Sequence, residues 1–369
     1  MSKLNTSPKV SFNHANTAFY QSLKQSVETY FRTNNLKKTG NWKLYIKTII
    51  LVPAAIGIYV SLLAFSMPVG LSLFLCALLG FLIACIGFNI MHDACHDSYS
   101  SKKWVNGVLS LTMNAMGSCA FFWKQKHNII HHTYTNIEGA DDDIAQSKYL
   151  RQSPSQKWLP VHRYQHIYLT IAYSLMVFMW VGVNDFKKYF AKKINRTPLQ
   201  PMSPGEHITF WASKLLYVLF YMAIPIFFIG WLPWLIGYLT MGIVTGVIIS
   251  YTFQLAHAVE GPEFESVGLD DKKIESEWAV HQVRTTANFA PKNKIVSWFI
   301  GGLNYQIEHH LFPRISHIHY PGISGIIREH CQRYGLPYHS FPTVIQAISS
   351  HLRTMKHLGQ KTYKPEYSN

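Results

Sequence analysis

The stretch HDACH, His92–His96, directly follows a long apolar run and is the pattern that decides the fold. Its two histidines are four residues apart, so on a helix that leaves a membrane they project from one face, as two imidazole ligands of a metal would. A similar pattern recurs in HNIIHH at residues 127–132 and in QIEHH at residues 306–310. One such pair is weak evidence, but three boxes of compatible spacing predict that the fold brings them together.

The composition indicates a membrane protein. Of 369 residues, 48% are hydrophobic and only 14% are charged, whereas a soluble globular protein has about 25% charged residues. Lys and Arg number 34 against 19 Asp and Glu, which gives a formal net charge of +15. Such a charge suits nucleic acid or an anionic membrane surface. The apolar runs favour the membrane, and we expect no nucleic acid partner.

Four apolar runs are long enough to cross a bilayer, which takes about 20 residues. They are Thr48–Met67, Val69–Ile90, Phe210–Ile229 and Leu232–Phe253. The turns within the two resulting hairpins lack Lys and Arg, whereas the outer flanks carry Lys43, Lys47, Lys102, Lys103, Lys187, Lys188, Lys192, Lys193 and Arg196. By the positive-inside rule, the flanks and the boxes face the cytoplasm. The sequence therefore predicts an all-α integral membrane protein with four transmembrane helices.

Two shorter apolar stretches, Val105–Trp123 and Ile167–Val183, need a separate interpretation. If Ile167–Val183 crossed the bilayer, three crossings would separate HNIIHH from QIEHH, and the boxes would lie on opposite faces. We therefore interpret both stretches as interfacial or partly re-entrant helices. This argument assumes that the boxes form one site.

The domain organisation follows from these spans. Residues 1–41 are polar, lack the features of a signal peptide, and are predicted to be a cytoplasmic N-terminal segment. Residues 42–352 form one membrane domain, and residues 353–369 form a C-terminal tail. The region after the fourth run is predicted to be a helical cytoplasmic cap, with helices around Trp278–Thr286, Ser297–His309 and Ile323–Tyr334.

The histidines are interpreted as a metal site. Eight candidate ligands lie in the boxes and at the end of the fourth run: His92, His96, His127, His131, His132, His257, His309 and His310. Neutral imidazole binds iron, copper or zinc, and the scarcity of carboxylates argues against magnesium or calcium. Eight ligands are too many for one metal and about right for two. The spacing of His281, His317 and His319 does not separate ligand from neighbour.

Polar residues beside the boxes are candidates for supporting roles. A carboxylate next to a ligating histidine accepts its second N–H and fixes its tautomer, and we favour this role for Asp93 and Asp97. The acids at residues 141–143 also flank a box, and solvated surface positions compete with a supporting role for them. Gln306, three residues before His309, is a poor ligand but a good hydrogen-bond acceptor.

Read in order between two hairpins, HDACH, HNIIHH and QIEHH resemble the histidine boxes of the membrane fatty acid desaturases. The likeness covers about Trp42–Leu352 and extends to HHTYTNIEGADDDI at residues 131–144, HQVRTTANF at 281–289 and GGLNYQIEHHLFPRISHIHY at 301–320. Gln306 at the first position of the third box is similar to the front-end branch, which adds double bonds between an existing one and the carboxyl end.

The resemblance implies a di-iron centre held by the eight histidines, with O2 as co-substrate. The expected product is a cis double bond in an acyl chain carried by CoA or a lipid. We expect that chain to lie in a tunnel among the span ends, the interfacial helices and the C-terminal region. The fused cytochrome b5 domain of many front-end enzymes is missing, which predicts an external electron donor such as ferredoxin or a cytochrome b5-type protein with its reductase. The likeness is to a bacterial cytoplasmic-membrane enzyme.

Two alternatives stay open at this point. A hydroxylase, ketolase or alkane monooxygenase on a similar histidine-rich scaffold inserts oxygen instead of forming a double bond. A non-catalytic zinc receptor or transporter is more remote, because a transporter places ionisable residues within its spans, and here the histidines gather outside them.

Overall fold

Four helices are long and apolar enough to cross a membrane in the computed structural model, which describes residues 10–13, 17–144, 147–195, 197–266 and 272–362. These helices, called spans 1 to 4, run Trp42–Ala64, Val69–Cys95, Pro204–Ile229 and Trp231–His257. Adjacent spans pair as two hairpins, and the predicted helical membrane fold is confirmed. Arg196 of the predicted basic flanks and residues 363–369 of the predicted tail lie outside the described residues.

Span 3 begins before its apolar run does. We predicted its start at Phe210, but the helix starts at Pro204. The Ser203 hydroxyl accepts a hydrogen bond from the Glu206 N–H, and the Glu206 carboxylate accepts one from the Ser203 N–H. This capping box, with proline at the first helical position, starts a helix regardless of hydropathy.

Spans 2 and 4 continue beyond the ends predicted for them. The apolar runs end at Ile90 and Phe253, whereas the helices extend to Cys95 and His257. A hydropathy pattern marks the part of a helix that suits lipid, and the polar turns beyond it keep the same backbone hydrogen bonds. Both extensions therefore hold candidate ligands on ordered helix ends.

Spans 2 and 4 pack closely against each other at the centre of the molecule. A Cβ added at Gly80 would lie 2.3 Å from the Met241 carbonyl oxygen, so only glycine permits this approach. The Thr245 hydroxyl donates to the Gly80 carbonyl across the contact at 2.9 Å. Small residues allow such close packing of helices in lipid.

A bent helix pair, Pro160–Ser174 and Met176–Ala191, replaces the short stretch Ile167–Val183, with 60° between its halves. His131 before the pair and His310 after span 4 have ring centroids only 5.0 Å apart. An even number of crossings must therefore separate them, and spans 3 and 4 supply two. The bent pair returns to the side from which it came, which is the interfacial or re-entrant arrangement predicted for it.

The other short stretch, Val105–Trp123, is divided into short helices at Lys103–Ser110, Thr112–Ala115 and Ala120–Trp123. Gly117 has φ 91°, and a Cβ there would lie 2.3 Å from the ring of Tyr217 on span 3. The chain turns here against span 3 and does not cross the membrane.

The remaining elements form a cap over the histidine ends of the spans. Its helices include Ala18–Thr33, Trp278–Arg284, Lys294–Phe299, Gln306–Leu311, Tyr320–Arg333 and Val344–Leu358. Short strand pairs join Val10–Phe12 to Lys272–Ile274, Ile137–Glu138 to Glu265–Ser266, Asn288–Phe289 to Ser340–Phe341 (all parallel) and Lys193–Ile194 to Thr197–Pro198 (antiparallel). Phe19, Leu23 and Ile327 belong to the core between the first and fifth of these helices.

The prediction of one helix at Ser297–His309 is wrong. The helix Lys294–Phe299 ends, and a second helix starts only at Gln306. Between them Gly301 and Gly302 have φ of 60° and 63°, which L-residues with side chains adopt only under strain. A Cβ on Gly301 would lie 2.4 Å from the carbonyl oxygen of Phe88 on span 2.

We therefore predict that Gly301→Ala lowers the free energy of unfolding by about 2 kcal/mol or more, through strain and the clash with span 2. Thermal unfolding in detergent measures the effect. Gly57→Ala is the matched control, because Gly57 lies inside span 1 with nothing within 4 Å of an added Cβ. Equal melting temperatures for the two variants would contradict the prediction.

Candidate metal centre

The structure brings all eight predicted histidines together, seven of them in two buried groups and the eighth between the groups. His92, His96, His127 and His309 form the first group, and His131, His257 and His310 form the second. Within each group, one ligand atom per residue lies within 4.8 Å of the others. His132 lies between the groups, with its ring centroid 4.5 Å from those of both His309 and His310.

The second and third boxes each supply both groups. His127 and His131 lie in the segment Lys124–His131, a π-helix whose hydrogen bonds join residues five apart. Their rings stack with centroids 5.3 Å apart, and each belongs to a different group. His309 and His310 are adjacent and also divide between the groups. The two groups are therefore neighbouring parts of one centre.

Hydrogen bonds fix the orientation of two imidazole rings in the second group. His257 Nδ1 lies 3.2 Å from the Thr285 carbonyl oxygen, and His310 Nδ1 lies 2.8 Å from Oε1 of Gln282. Both oxygens only accept, so each Nδ1 carries the proton and each Nε2 keeps a lone pair. The two Nε2 atoms are buried and have no hydrogen-bond partner in the described part of the chain.

The same arrangement recurs in the first group. His309 Nδ1 is hydrogen-bonded to the Tyr320 hydroxyl at 3.0 Å, and its Nε2 has no partner among the described residues. Within the same part of the chain, His92, His96 and His132 of the cluster also have a buried ring nitrogen without a hydrogen bond. Buried polar atoms are normally satisfied, so nitrogens that converge unsatisfied fit a metal whose ligands are imidazoles.

Burial keeps these rings uncharged. Desolvation, reinforced by neighbouring histidines, holds the pKa of His96, His127, His132, His309 and His310 well below the ordinary value. A metal binds the neutral imidazole, so this environment leaves the ligand atoms free of protons at physiological pH.

Two of the acids at residues 141–143, Asp141 and Asp143, support the second box. Asp141 Oδ2 lies 3.1 Å from His131 Nδ1 and accepts the Asn136 N–H at 3.0 Å. Asp143 lies 3.2 Å from the same His131 nitrogen and 2.7 Å from Lys126 Nζ. Burial alone would lower the pKa of His131, but Asp141 and Asp143 raise it above its ordinary value. The sequence left these acids between two interpretations, and the signal for them was the acidic run after HHTYTNIEGA.

Asp93 and Asp97, the two carboxylates favoured from the sequence, lie in different surroundings. Asp93 is buried, and its Oδ1 is 3.9 Å from His92 Nδ1. Asp97 is exposed in a left-handed turn with φ 57°. The fold brings Asp93 to the cluster and leaves Asp97 at the surface. Gln306 is buried and donates to the Leu303 carbonyl at 2.8 Å.

A buried lysine stands behind Asp93. Lys47 Nζ on span 1 lies 3.0 Å from His317 Nε2 and donates to Asn89 Oδ1 at 2.8 Å. An ammonium group only donates, so His317 Nε2 accepts and its proton is on Nδ1, which lies 3.0 Å from Asp93 Oδ1. This series of polar contacts, from Lys47 through His317 to Asp93, links span 1 to the first box through the cap.

The histidines left unresolved from the sequence lie outside both groups. His317 faces Asp93, as described above. His281 Nε2 donates to the Thr135 carbonyl at 2.8 Å, and His319 Nε2 to the Thr39 carbonyl at 3.2 Å. Each holds a loop of the cap in place.

Two adjoining cavities reach the histidines. The larger, about 490 Å³, is lined by His127, His131 and His257. The smaller, about 60 Å³, is apolar and reaches His92 between spans 2 and 4. They share the side chains of Trp123, Trp180, Ile249 and Phe253. No described residue beyond His257 lines either cavity. These two cavities therefore do not match the prediction that the C-terminal region helps to form the tunnel for the acyl chain.

Comparison with known proteins gives concordant matches. The family model for fatty acid desaturases matches residues 68–342. The sn-1 linoleoyl-lipid 6-desaturase of Synechocystis sp. is 35% identical over 93% of this chain and 96% of that protein. The protein of the same description from Arthrospira platensis is 34% identical over 95% of each. The acyl-lipid (8-3)-desaturase of Physcomitrium patens is 30% identical over 95% of this chain and 73% of that protein.

We predict that Asp141→Asn weakens metal binding by about 10- to 100-fold, because the amide cannot support His131 as the carboxylate does. Metal content per chain, measured by mass spectrometry after dialysis against a graded chelator, reports the loss. Asp142→Asn is the matched control, since Asp142 contacts Lys126 at 3.5 Å. Equal metal retention by both variants would contradict the prediction.

Proposed function

The chain belongs to the fatty acid desaturase family, and from that premise we propose that it introduces a cis double bond into an acyl chain carried by a membrane lipid. The observation that supports this most directly is the pair of buried histidine groups beside an apolar cavity. The balanced reaction converts one CH2–CH2 unit, O2, two electrons and two protons into CH=CH and two molecules of water.

We propose iron as the metal. The groups fit two ions: His92, His96, His127 and His309 would hold one, His131, His257 and His310 the other, and His132 lies between them. Bound iron supplies the activation of O2 that removal of hydrogen from an unactivated methylene requires, since no side-chain acid or base can do it.

The chain's own residues position the substrate and exclude water. The apolar cavity, with Phe88, Met91 and Met116 in its wall, takes a hydrocarbon segment up to His92. Trp123 stacks on His127 with ring centroids 4.4 Å apart, and its ring lines both cavities. A methylene held there is fixed beside the histidines, and fixing reactants in this way supplies much of an enzyme's rate enhancement.

We propose front-end regioselectivity. The third box begins with Gln306, as in the branch that it resembles. The relatives from Synechocystis sp. and Arthrospira platensis are named sn-1 linoleoyl-lipid 6-desaturases, and the relative from Physcomitrium patens is named an acyl-lipid (8-3)-desaturase. These names support a double bond placed on the carboxyl side of an existing one.

The electron donor is proposed to be a separate acidic protein, a ferredoxin or a cytochrome b5-type protein with its reductase. The net charge of +15 and the basic flanks of the spans favour an acidic partner. We also propose a bacterial cytoplasmic membrane with the termini and histidines on the cytoplasmic side, and residues 42–352 as the desaturase domain.

We predict that His309→Ala abolishes unsaturation without removing the protein from the membrane, because the first group loses a ligand. The chain and the variant are expressed in a host supplied with saturated and monounsaturated fatty acids, and lipid mass spectrometry locates any new double bond. His166→Ala is the control, since His166 lies on the bent pair outside both groups.

Three outcomes would count against the proposal. Full product from His309→Ala would refute the ligand assignment. A product heavier by one oxygen, in place of one lighter by two hydrogens, would indicate a hydroxylase. Two zinc ions and no iron in an active preparation would refute the assignment of iron.

A further inference from the structure

The larger cavity has a basic wall at its polar end. Lys187 and Lys188 lie on the helix Asp185–Ala191, and Lys193 lies in the strand that follows it. All three line the same cavity as His127 and His131. The proposed chemistry of the histidines does not use these lysines.

Carboxylates near this wall already have partners. Asp141 is bonded to His131, and Asp142 and Asp143 lie 3.5 Å and 2.7 Å from Lys126. Within the described part of the chain, Lys126 is the cavity lysine that forms ion pairs with Asp142 and Asp143. The lining of the cavity holds four lysines against three carboxylates, so one positive charge is in excess, and it lies among the three lysines of the basic wall.

Asp185, on the same helix as two of these lysines, is hydrogen-bonded to a lysine outside the cavity. Its Oδ2 accepts from Lys214 Nζ on span 3 at 2.9 Å and from the Ser118 hydroxyl at 3.0 Å. Burial, followed by the charge of Lys126, lowers the pKa of Lys188 to about 8, although Asp142, Asp185 and Asp143 act in the opposite direction. An anion in the cavity would relieve this repulsion.

Aromatic side chains indicate the depth at which the cavity opens. Phe190, next to the basic wall, is 68% exposed, and Trp211 on span 3 is 46% exposed. Trp211 Nε1 donates to the Tyr189 hydroxyl at 3.0 Å. Exposed aromatic residues at the end of a span are typical of the lipid headgroup region. The basic wall therefore faces lipid headgroups.

We propose that Lys187, Lys188 and Lys193 form a subsite for the phosphate of a glycerophospholipid whose acyl chain enters the cavity. The inference rests on the proposed function and adds the class of lipid. Lysine ammonium groups bind phosphate as point charges. An uncharged glycolipid offers no anion to the three lysines, so it occupies the same cavity with lower affinity.

A competition between carriers tests the proposal. The full chain, with iron and an electron donor supplied, is presented in nanodiscs with one acyl chain on phosphatidylglycerol and an isotope-labelled copy on monogalactosyl diacylglycerol. A parallel reaction contains the acyl-CoA. The triple variant Lys187→Met, Lys188→Met, Lys193→Met is compared with Lys292→Met, Lys294→Met, because those two lysines are exposed, line neither cavity and lie outside the basic flanks of the spans.

We expect the wild type to prefer phosphatidylglycerol and the triple variant to lose that preference by about tenfold or more, because the phosphate loses its cationic partners. The loss falls on KM for the phospholipid relative to the galactolipid in the same reaction, so any weaker docking of the electron donor cancels from the comparison. The control variant keeps the wild-type preference. Three results would overturn the proposal. The wild type would use both lipids equally, the triple variant would lose activity equally on both lipids, or the lysines would favour acyl-CoA over the phospholipid.

A binding measurement separates this proposal from the proposed function. Native mass spectrometry of His309→Ala counts phosphatidylglycerol retained by the chain, with and without the three Lys→Met changes. Lysine-dependent retention supports the phosphate subsite even if no carrier is desaturated, in which case only the proposed function fails. Retention that is the same with and without the lysines refutes the subsite.

Discussion

Eight imidazole rings gathered in one buried cluster, six of them with a ring nitrogen that has no partner among the described residues, are the constraint on which the rest of the structure depends. Buried nitrogens without partners are unfavourable by themselves, and their mutual orientation has to be imposed by surrounding groups. Thr285, Gln282 and Tyr320 fix individual rings through Nδ1, and Asp141 holds His131. These partners come from the cap and from the loop after the second box, so the cap orients ligands that the spans and boxes deliver.

Irregular backbone makes this delivery possible. Span 2 changes to a π-helix at Gly87–Met91, just before His92. The turn at Gly301 fits against the Phe88 carbonyl in that same segment, so the third box rests on the irregular part of span 2. A second π-helix, Lys124–His131, divides its two histidines between the groups. Such segments often occur at functional sites, and these two adjoin boxes, whereas the π-helices Trp180–Asn184 and Leu219–Ala223 do not.

The parts that depend on local spacing could be predicted from the sequence. The hairpins follow from hydropathy, and the eight histidines follow from their recurring boxes and from the end of span 4. The parts that depend on distant contacts could not: Tyr320 and Gln282 are recognisable as partners only once the cap is folded, and Asp141 only once the turn at Asn136, with φ 55°, carries it back to His131. The break at residues 301–302 was missed because two glycines in an apolar context do not by themselves define a turn.

The division of His309 and His310 between the two groups has a consequence for biosynthesis. They are the last of the eight histidines to be translated, and each completes a different group. While the ribosome is still making the segment before them, all four spans have been synthesised, yet neither group has its full set of rings. At that stage the first group has three of its four rings and the second has two of its three. A product truncated before His309 therefore has all four spans, but neither of its histidine groups is complete.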